Sequence, residues 1–216
     1  MPNFFYKLCS KEFFKKDITL SICIALIFSI ILSLIGFDAK CQSVRENVFR
    51  LHILANSDST EDQKIKLEIR DCILAAGNGV FGDAENKEDV ILLAKSEVTK
   101  FKEIAEKVIK SYGKDYPVTV EIKKTYFDTR VYEDFTLPAG EYDALRLLIG
   151  KGEGKNWWCI MFPAMCIPAA KGKKSVSEVA GSGAEEVIKN GQKYKMEFKI
   201  VEIFERLKQR KIKAIF

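Results

Sequence analysis

The 216-residue sequence predicts an α+β fold. The expected architecture is a two-layer sandwich, two helices packed on a largely antiparallel sheet, preceded by one N-terminal transmembrane or signal helix. Three observations carry this. An uncharged apolar run fills Ile18 to Phe37, two later segments repeat their apolar residues at helical spacing, and after Tyr116-Pro117 the pattern changes to period two. The elements beyond the apolar run read β-α-α-β-β-β, an order that points to helices on one face of a sheet.

The first element is the apolar run itself, ITLSICIALIFSIILSLIGF. At about 1.5 Å per residue it matches a hydrocarbon core of roughly 30 Å, so it spans a bilayer once. Lys7, Lys11, Lys15 and Lys16 precede it, offset by Glu12 and Asp17, while Asp38 and Lys40 follow. That positive bias keeps the N-terminus cytoplasmic and places everything after Phe37 outside. The run ends Leu34-Ile35-Gly36-Phe37 without an A-x-A pattern, and Lys40 before Cys41 spoils a lipoprotein reading. An uncleaved anchor is therefore favoured over a removed signal, and both over a buried core helix. The layout is a cytoplasmic basic N-terminus at 1–17, the transmembrane anchor or signal segment at 18–37 and a linker at 38–47. An exported domain follows at 48–170, then a flexible linker at 171–193 and a basic C-terminal element at 194–216.

Val48 to Ala55 is β-prone, with Leu51, Ile53 and Ala55 on one face and Arg50 and His52 on the other. Asn56-Ser57-Asp58-Ser59 ends this strand, and Ser59 with Asp62 has the spacing of a weak capping box. The helix it opens carries Ile65, Ile69, Cys72, Ile73 and Ala76 on one stripe and stops at Gly77-Asn78-Gly79. A second helix opens near Asn86 or Lys87, aligns Val90, Ala94, Val98, Phe101, Ala105, Val108 and Tyr112, and closes at Gly113. Val118, Val120 and Ile122 then alternate with polar residues, and β-prone residues continue to Tyr132. Leu137 to Glu141 is a turn signal, Tyr142 to Ile149 a strand and Trp157 to Phe162 another, with Gly150 to Asn156 as a hairpin connection. Lys171 to Lys193 reads as linker. In the last element the first half suits a strand and the second a basic helix bearing Arg206, Lys208, Arg210, Lys211 and Lys213.

Composition narrows the chemistry. Thirty-five basic and 30 acidic residues leave a formal charge of +5, too even for a nucleic-acid binder, and the single histidine, His52, excludes a multi-histidine metal site. Gly150-Lys151-Gly152-Glu153-Gly154-Lys155 lacks the spacing of a phosphate-binding loop and precedes a strand where those motifs need a helix. His52 with Asp58 or Ser57 has no nucleophile elbow or cysteine motif beside it, which favours a structural or interface histidine. Arg130, Glu141, Arg146, Lys151 and Lys155, beside Trp157 and Trp158, mix cations and aromatics in the manner of a protein-recognition surface. The plainer alternative puts one tryptophan in the core and the other over a basic side chain.

Four cysteines, Cys41, Cys72, Cys159 and Cys166, fall on the exported side, where disulfides form. Cys72 lies on a helical apolar stripe and reads as core. Cys159 and Cys166 close the shortest loop. In a straight strand they would lie about 23 Å apart, far beyond the roughly 4.4 to 6.8 Å a disulfide spans between Cα atoms, so pairing requires the reversal that Pro163 supplies. Two buried free thiols are the alternative.

Several strings are more specific. Arg50-Leu51-His52-Ile53-Leu54-Ala55-Asn56-Ser57-Asp58, then Asp62-Gln63, Lys66-Leu67 and Arg70-Asp71, resemble the opening of the stage II sporulation protein R family. Tyr116 to Val120, Leu137 to Tyr142, and Arg146 through Gly150 to Cys159 followed by Phe162-Pro163 and Cys166 match its later blocks in order. The likeness covers roughly Val48 to Ile167. It implies a non-enzymatic signalling protein of endospore-forming bacteria, exported from the forespore into the space facing the mother cell. Its implied partner is the membrane aspartic protease that processes pro-sigma-E, stage II sporulation protein GA. It implies no cofactor, metal, nucleic acid or small-molecule substrate, and membrane association through the N-terminal segment. Candidate partner-binding residues are Arg50, His52, Asn56, Ser57, Asp58, Arg130, Glu141, Arg146, Lys151, Lys155, Trp157 and Trp158. The competing readings are an envelope hydrolase, which needs Arg50, His52, Asp58 and the glycine loop in one pocket, and a passive wall- or membrane-binding module.

Overall fold

The computed structural model describes residues 11–81, 84–132, 135–163, 176 and 181–215. The chain divides into two compact units, Met1–Ala39 and Lys40–Phe216.

Helix α1 (Lys11–Asn47) makes up the described part of the first unit and ends inside the second. From Lys16 onward it is long and apolar enough to cross a membrane, a test that a signal sequence also meets, and its Ile18-to-Ile35 face is exposed. The linker expected at 38–47 is helix instead. Cys41 and Val44 are fully buried, and the Arg45 guanidinium donates to Ala139 O at 3.0 Å, so burial and a buried hydrogen bond hold these last turns helical.

The second unit is built on strands β1 (Phe49–Leu54), β2 (Val118–Phe127), the short pair β3 (Arg130–Val131) and β4 (Thr136–Leu137), β5 (Gly140–Ile149) and β6 (Asn156–Phe162). The main sheet runs β2-β5-β1-β6, with β1 parallel to β5 and the two outer pairings antiparallel. Since β1 sits between β5 and β6, the Gly150–Lys155 segment joins strands that do not pair. The expected hairpin is therefore a crossing over the C-terminal end of β1. Central position suits β1, whose residues from Phe49 to Ile53 are all buried.

On one face lie α2 (Thr60–Phe81), α3 (Lys87–Ser96) and α4 (Val98–Ser111). Ile65, Ile69, Ile73, Val90, Ala94, Phe101, Ala105 and Val108 pack there on Leu51, Ile53, Leu145, Leu147, Ile149 and Met161, as the helical spacing predicts. Two boundaries differ. Helix α2 runs past Gly77-Asn78-Gly79 to Phe81, because Phe81 is buried and closes over Gly77, leaving 3.2 Å between its ring and the position of a Cβ there. The second predicted helix breaks at Glu97, which ends α3 through a bond from its N–H to Leu93 O and starts α4. Buried Val90, Ala94, Phe101 and Ala105 still form one apolar surface across the break.

The other face carries a second core of Val44, Val48, Phe127, Leu137, Tyr142, Ala144, Ile160, Val176, Ala184 and Ile188. Helices α5 (Ser182–Lys189) and α6 (Lys195–Ile215) complete the described residues. The region expected as linker thus contains a packed helix, because Ala184, Val187 and Ile188 recur at helical spacing and are buried. Helix α6 likewise replaces the strand expected at its start, with Phe198 and Val201 three apart and buried.

Candidate functional site

At the C-terminal end of β1 the chain turns through Asn56-Ser57-Asp58, and the glycine loop lies directly on this turn. The two are laced together by backbone. Gly154 N–H donates to Ala55 O at 2.9 Å and Glu153 N–H to Asn56 O at 3.3 Å, while Lys151 N–H reaches Asn56 Oδ1 at 3.1 Å and Lys155 N–H reaches Asp58 Oδ1 at 2.6 Å. Contacts this close need glycine. A Cβ on Gly154 would stand 2.2 Å from Ser57 O, and Gly150, at φ +56°, would place one 2.2 Å from Asn56 Oδ1.

Asp62 is the hub on the helix side. Its Oδ2 accepts from Asn56 Nδ2 at 2.8 Å and from Ser57 Oγ at 2.5 Å, and its N–H donates to Ser59 Oγ at 3.1 Å. Only half of the predicted capping box is therefore made, since the Asp62 carboxylate turns toward the strand end. Burial alone would raise its pKa, but hydrogen bonds from Ser57, Asn56, Tyr116 and Ser59 prevail and hold the carboxyl below its usual range. Lys66, nearly buried, closes the lock from α2: its Nζ donates to Gln63 Oε1 at 2.6 Å and to Lys155 O at 3.0 Å. Burial lowers its pKa, against the attraction of Asp58.

The second feature lies on the sheet face away from α2. Strand register aligns Glu121, Arg146, His52 and Trp158 in one row across β2, β5, β1 and β6. Arg146 Nη1 bonds Glu121 Oε1 at 2.8 Å. The His52 ring lies 4.8 Å from that of Trp158, tilted by 33°, and the Trp158 ring meets Phe127 edge-on at 4.7 Å and lies under the Arg130 guanidinium at 5.0 Å. His52 Nε2 sits 3.1 Å from Asn156 Oδ1, a contact in which the ring donates, and its buried Nδ1 has no hydrogen-bond partner among the described residues. Burial, reinforced by Arg146 and Arg50, lowers its pKa to about 4 against the Asn156 hydrogen bond.

Arg50, one pair further along the same face, is fully buried. Its guanidinium carbon lies 3.9 Å from the Phe127 ring centroid and 5.0 Å from that of Tyr142. Nη2 donates to Tyr132 Oη at 3.3 Å, while Nε and Nη1 have no hydrogen-bond partner among the described residues. Burial pulls its pKa down, opposed by Tyr142 and Tyr132, and the aromatic faces stand where a carboxylate would normally sit.

Ten of the twelve candidate residues thus fall in two adjoining places. Asn56, Ser57, Asp58, Lys151 and Lys155 form the loop lock; Arg50, His52, Arg130, Arg146 and Trp158 form the cation–aromatic face; Asn156 links the two. Trp157 points the opposite way, packed against the helix-side core beneath Arg70 at 4.3 Å, so each tryptophan is covered by an arginine. Glu141 is exposed at the start of β5, opposite Tyr126 in register. Cys159 is disulfide-bonded, while Cys166, its expected partner, lies outside the described residues. Cys72 is half-buried against the helix-side core. Sequence reasoning did not single out Asp62, Lys66 or Asn156 as site residues; the signal for the first was its place three residues after Ser59.

Fold and site define a class: an α+β domain behind a helix of membrane-crossing length, with a glycine loop locked onto the end of its central strand and a cation–aromatic face beside that lock. The family model for stage II sporulation protein R matches residues 45–172. The stage II sporulation protein R of Bacillus subtilis (strain 168) is 33% identical over 135 residues, 62% of this chain and 60% of that relative. This chain belongs to the stage II sporulation protein R family, which ties it to sporulation. It spans 60% of the length of the curated relative it matches. No solved structure matches it. Both strings that form the lock, Asn56 to Lys66 and Gly150 to Asn156, lie inside the matched region, whereas α5 and α6 lie beyond it.

Proposed function

We propose that this protein is an exported sporulation signal that activates the membrane aspartic protease processing pro-sigma-E, acting from the space between forespore and mother cell. The observation that carries the reading is the family match over residues 45–172, which spans the lock and the cation–aromatic face. The apolar stretch of α1 supports delivery to or across a membrane. The arrangement of side chains favours recognition over chemistry. Asp58 is engaged with the Lys155 backbone at the end of β1, whereas His52 is buried on the sheet face and stays neutral down to about pH 4, its one ring proton given to Asn156, so the two do not form an acid–base pair.

The test is reconstitution. The purified full-length chain, supplied outside cells that contain only the protease and its pro-sigma substrate, should trigger cleavage of that substrate. Absence of cleavage with a folded protein would reject the reading. Truncating Trp158 or Arg146 should weaken the response, while His52→Gln should leave most of it. A stable His52→Gln protein without activity would instead favour the envelope-enzyme reading.

A further inference from the structure

Helix α6 is inverted relative to an ordinary surface helix. The side packed on the domain combines Phe198 and Val201 with Glu202 and Glu205, all under a tenth exposed, while Met196, Ile200, Ile203, Phe204 and Leu207 face outward at 42% to 75% exposure. At 100° per residue these five fall within one stripe about 100° wide. An amphipathic helix normally buries such a stripe and exposes its acids. Here ion pairs hold the opposite orientation. Glu202 Oε1 accepts from Arg206 Nη2 at 2.9 Å and from Lys199 Nζ at 3.1 Å, and Arg206 also reaches Asp128 at 3.0 Å. The apolar stripe is thereby fixed outward.

Charge identifies what would cover it. Exposed Arg210 flanks one edge of the stripe, beside Lys199 and Arg206 that Glu202 already engages, while Lys208 flanks the other edge and Lys211 stands at its far end. From Arg206 to Phe216 the sequence holds five cations and no acid. We propose that the outward face of α6 docks in the plane of an anionic bilayer, with the apolar stripe among the upper acyl chains and the cations against lipid phosphates. An apolar strip edged by long cationic side chains suits that boundary, because their methylene stems lie along the hydrocarbon while their charges stay at the headgroups. A protein groove would supply apolar surface but would not by itself answer cations on both sides. The chain also carries a helix of membrane-crossing length, and a tether of that kind raises the local concentration of any second membrane contact. This inference is independent of the signalling role.

The experiment places an environment-sensitive fluorescent amino acid at position 204 of the full chain and, in a second preparation, at exposed Lys102 on α4. Each is reconstituted in nanodiscs containing a lipid-borne quencher, either with phosphatidylglycerol or with phosphatidylcholine alone. Position 204 should shift to the blue and be quenched well beyond position 102 in the anionic discs, and high salt should reduce the effect. Neutralising one cation should lower the docked-to-free ratio about fivefold, and the triple change Lys208→Gln, Arg210→Gln, Lys211→Gln should lower it on the order of 100-fold. Quenching at 204 no greater than at 102 overturns the proposal, as does equal quenching in the two kinds of disc. A blue shift without lipid quenching also overturns it, because the face would then be covered by protein, including a second copy of this chain.

Discussion

Arg50 shows how a cation is held where, among the described residues, aromatic rings and a phenol surround it and no carboxylate does. Phe127 and Tyr142 supply negative ring faces, yet among the described residues two of its three nitrogens meet no hydrogen-bond partner, so the desolvation of the charge is only partly offset there. Arg50→Met should therefore unfold at an equal or higher denaturant concentration, since it fills much of the same space without a charge. Arg50→Ala should lose roughly 3 kcal/mol through the cavity it leaves. Chemical denaturation of both variants measures this, and a Met variant weakened as much as the Ala variant would show that the charge itself stabilises the box. His52 yields a pH prediction with a definite sign. Its folded pKa of about 4 lies below the ordinary value of 6.5, so above pH 6.5 its contribution is fully present. As pH falls from 6.5 toward 4 the unfolded chain takes up the proton first and stability drops, by roughly 3 kcal/mol across the window. Denaturation curves at a series of pH values should show this slope in the native protein and a flatter one in His52→Gln. The depressed carboxyl of Asp62 adds a loss of the same sign as pH falls below its ordinary 3.8, because the unfolded chain takes up that proton before the lock does.

At the scale of elements, the lock makes one unit of the β1–α2 turn and the β5–β6 crossing. Ser57 and Asn56 face Asp62 on one side and the glycine loop on the other, so a change in the loop is felt at the start of α2. Gly154→Ala should cost roughly 1 to 3 kcal/mol, because the added methyl meets the Ser57 carbonyl and one backbone must move. Hydrogen exchange should report the change locally, with faster exchange at the Gly154 and Lys155 amides and in the first turn of α2 while α4 keeps its protection. Exchange that accelerates equally everywhere would mean that the loop has no separate stability.

For the whole molecule, the lysines before the apolar run predict that a crossing there leaves the N-terminus cytoplasmic. A reporter that works only outside the cytoplasm, fused after Phe216, should be active, and activity of a cytoplasmic reporter at the same position would reverse the topology. The proposed export also bears on the thiols. Peptide mapping of the unreduced protein should find Cys159 disulfide-linked to Cys166 and Cys72 open to alkylation after unfolding, and alkylation of Cys159 without reduction would contradict the bond.

By itself the sequence determined the apolar helix, the class of fold and the apolar faces of the helices, because these follow from local periodicity and from the polarity of each face. Leu51 and Ile53 were legible as one face of β1 for that reason. The burial of Arg50 and His52 on the other face was not, since alternation separates two faces but does not say whether both are covered. That depended on α1, Tyr132 and Phe127 closing over a strand placed at the centre of the sheet. The glycine loop was legible as a turn, but its landing on Asn56 to Asp58 arose only when β1 inserted between β5 and β6, a pairing across about 100 residues of chain that no local pattern encodes. In α6 the tertiary structure decided against the ordinary rule. Ion pairs of Glu202 and Arg206 turned the acids inward and the apolar stripe outward, an outcome set by Asp128 on a distant connection and invisible in the periodicity of the helix itself.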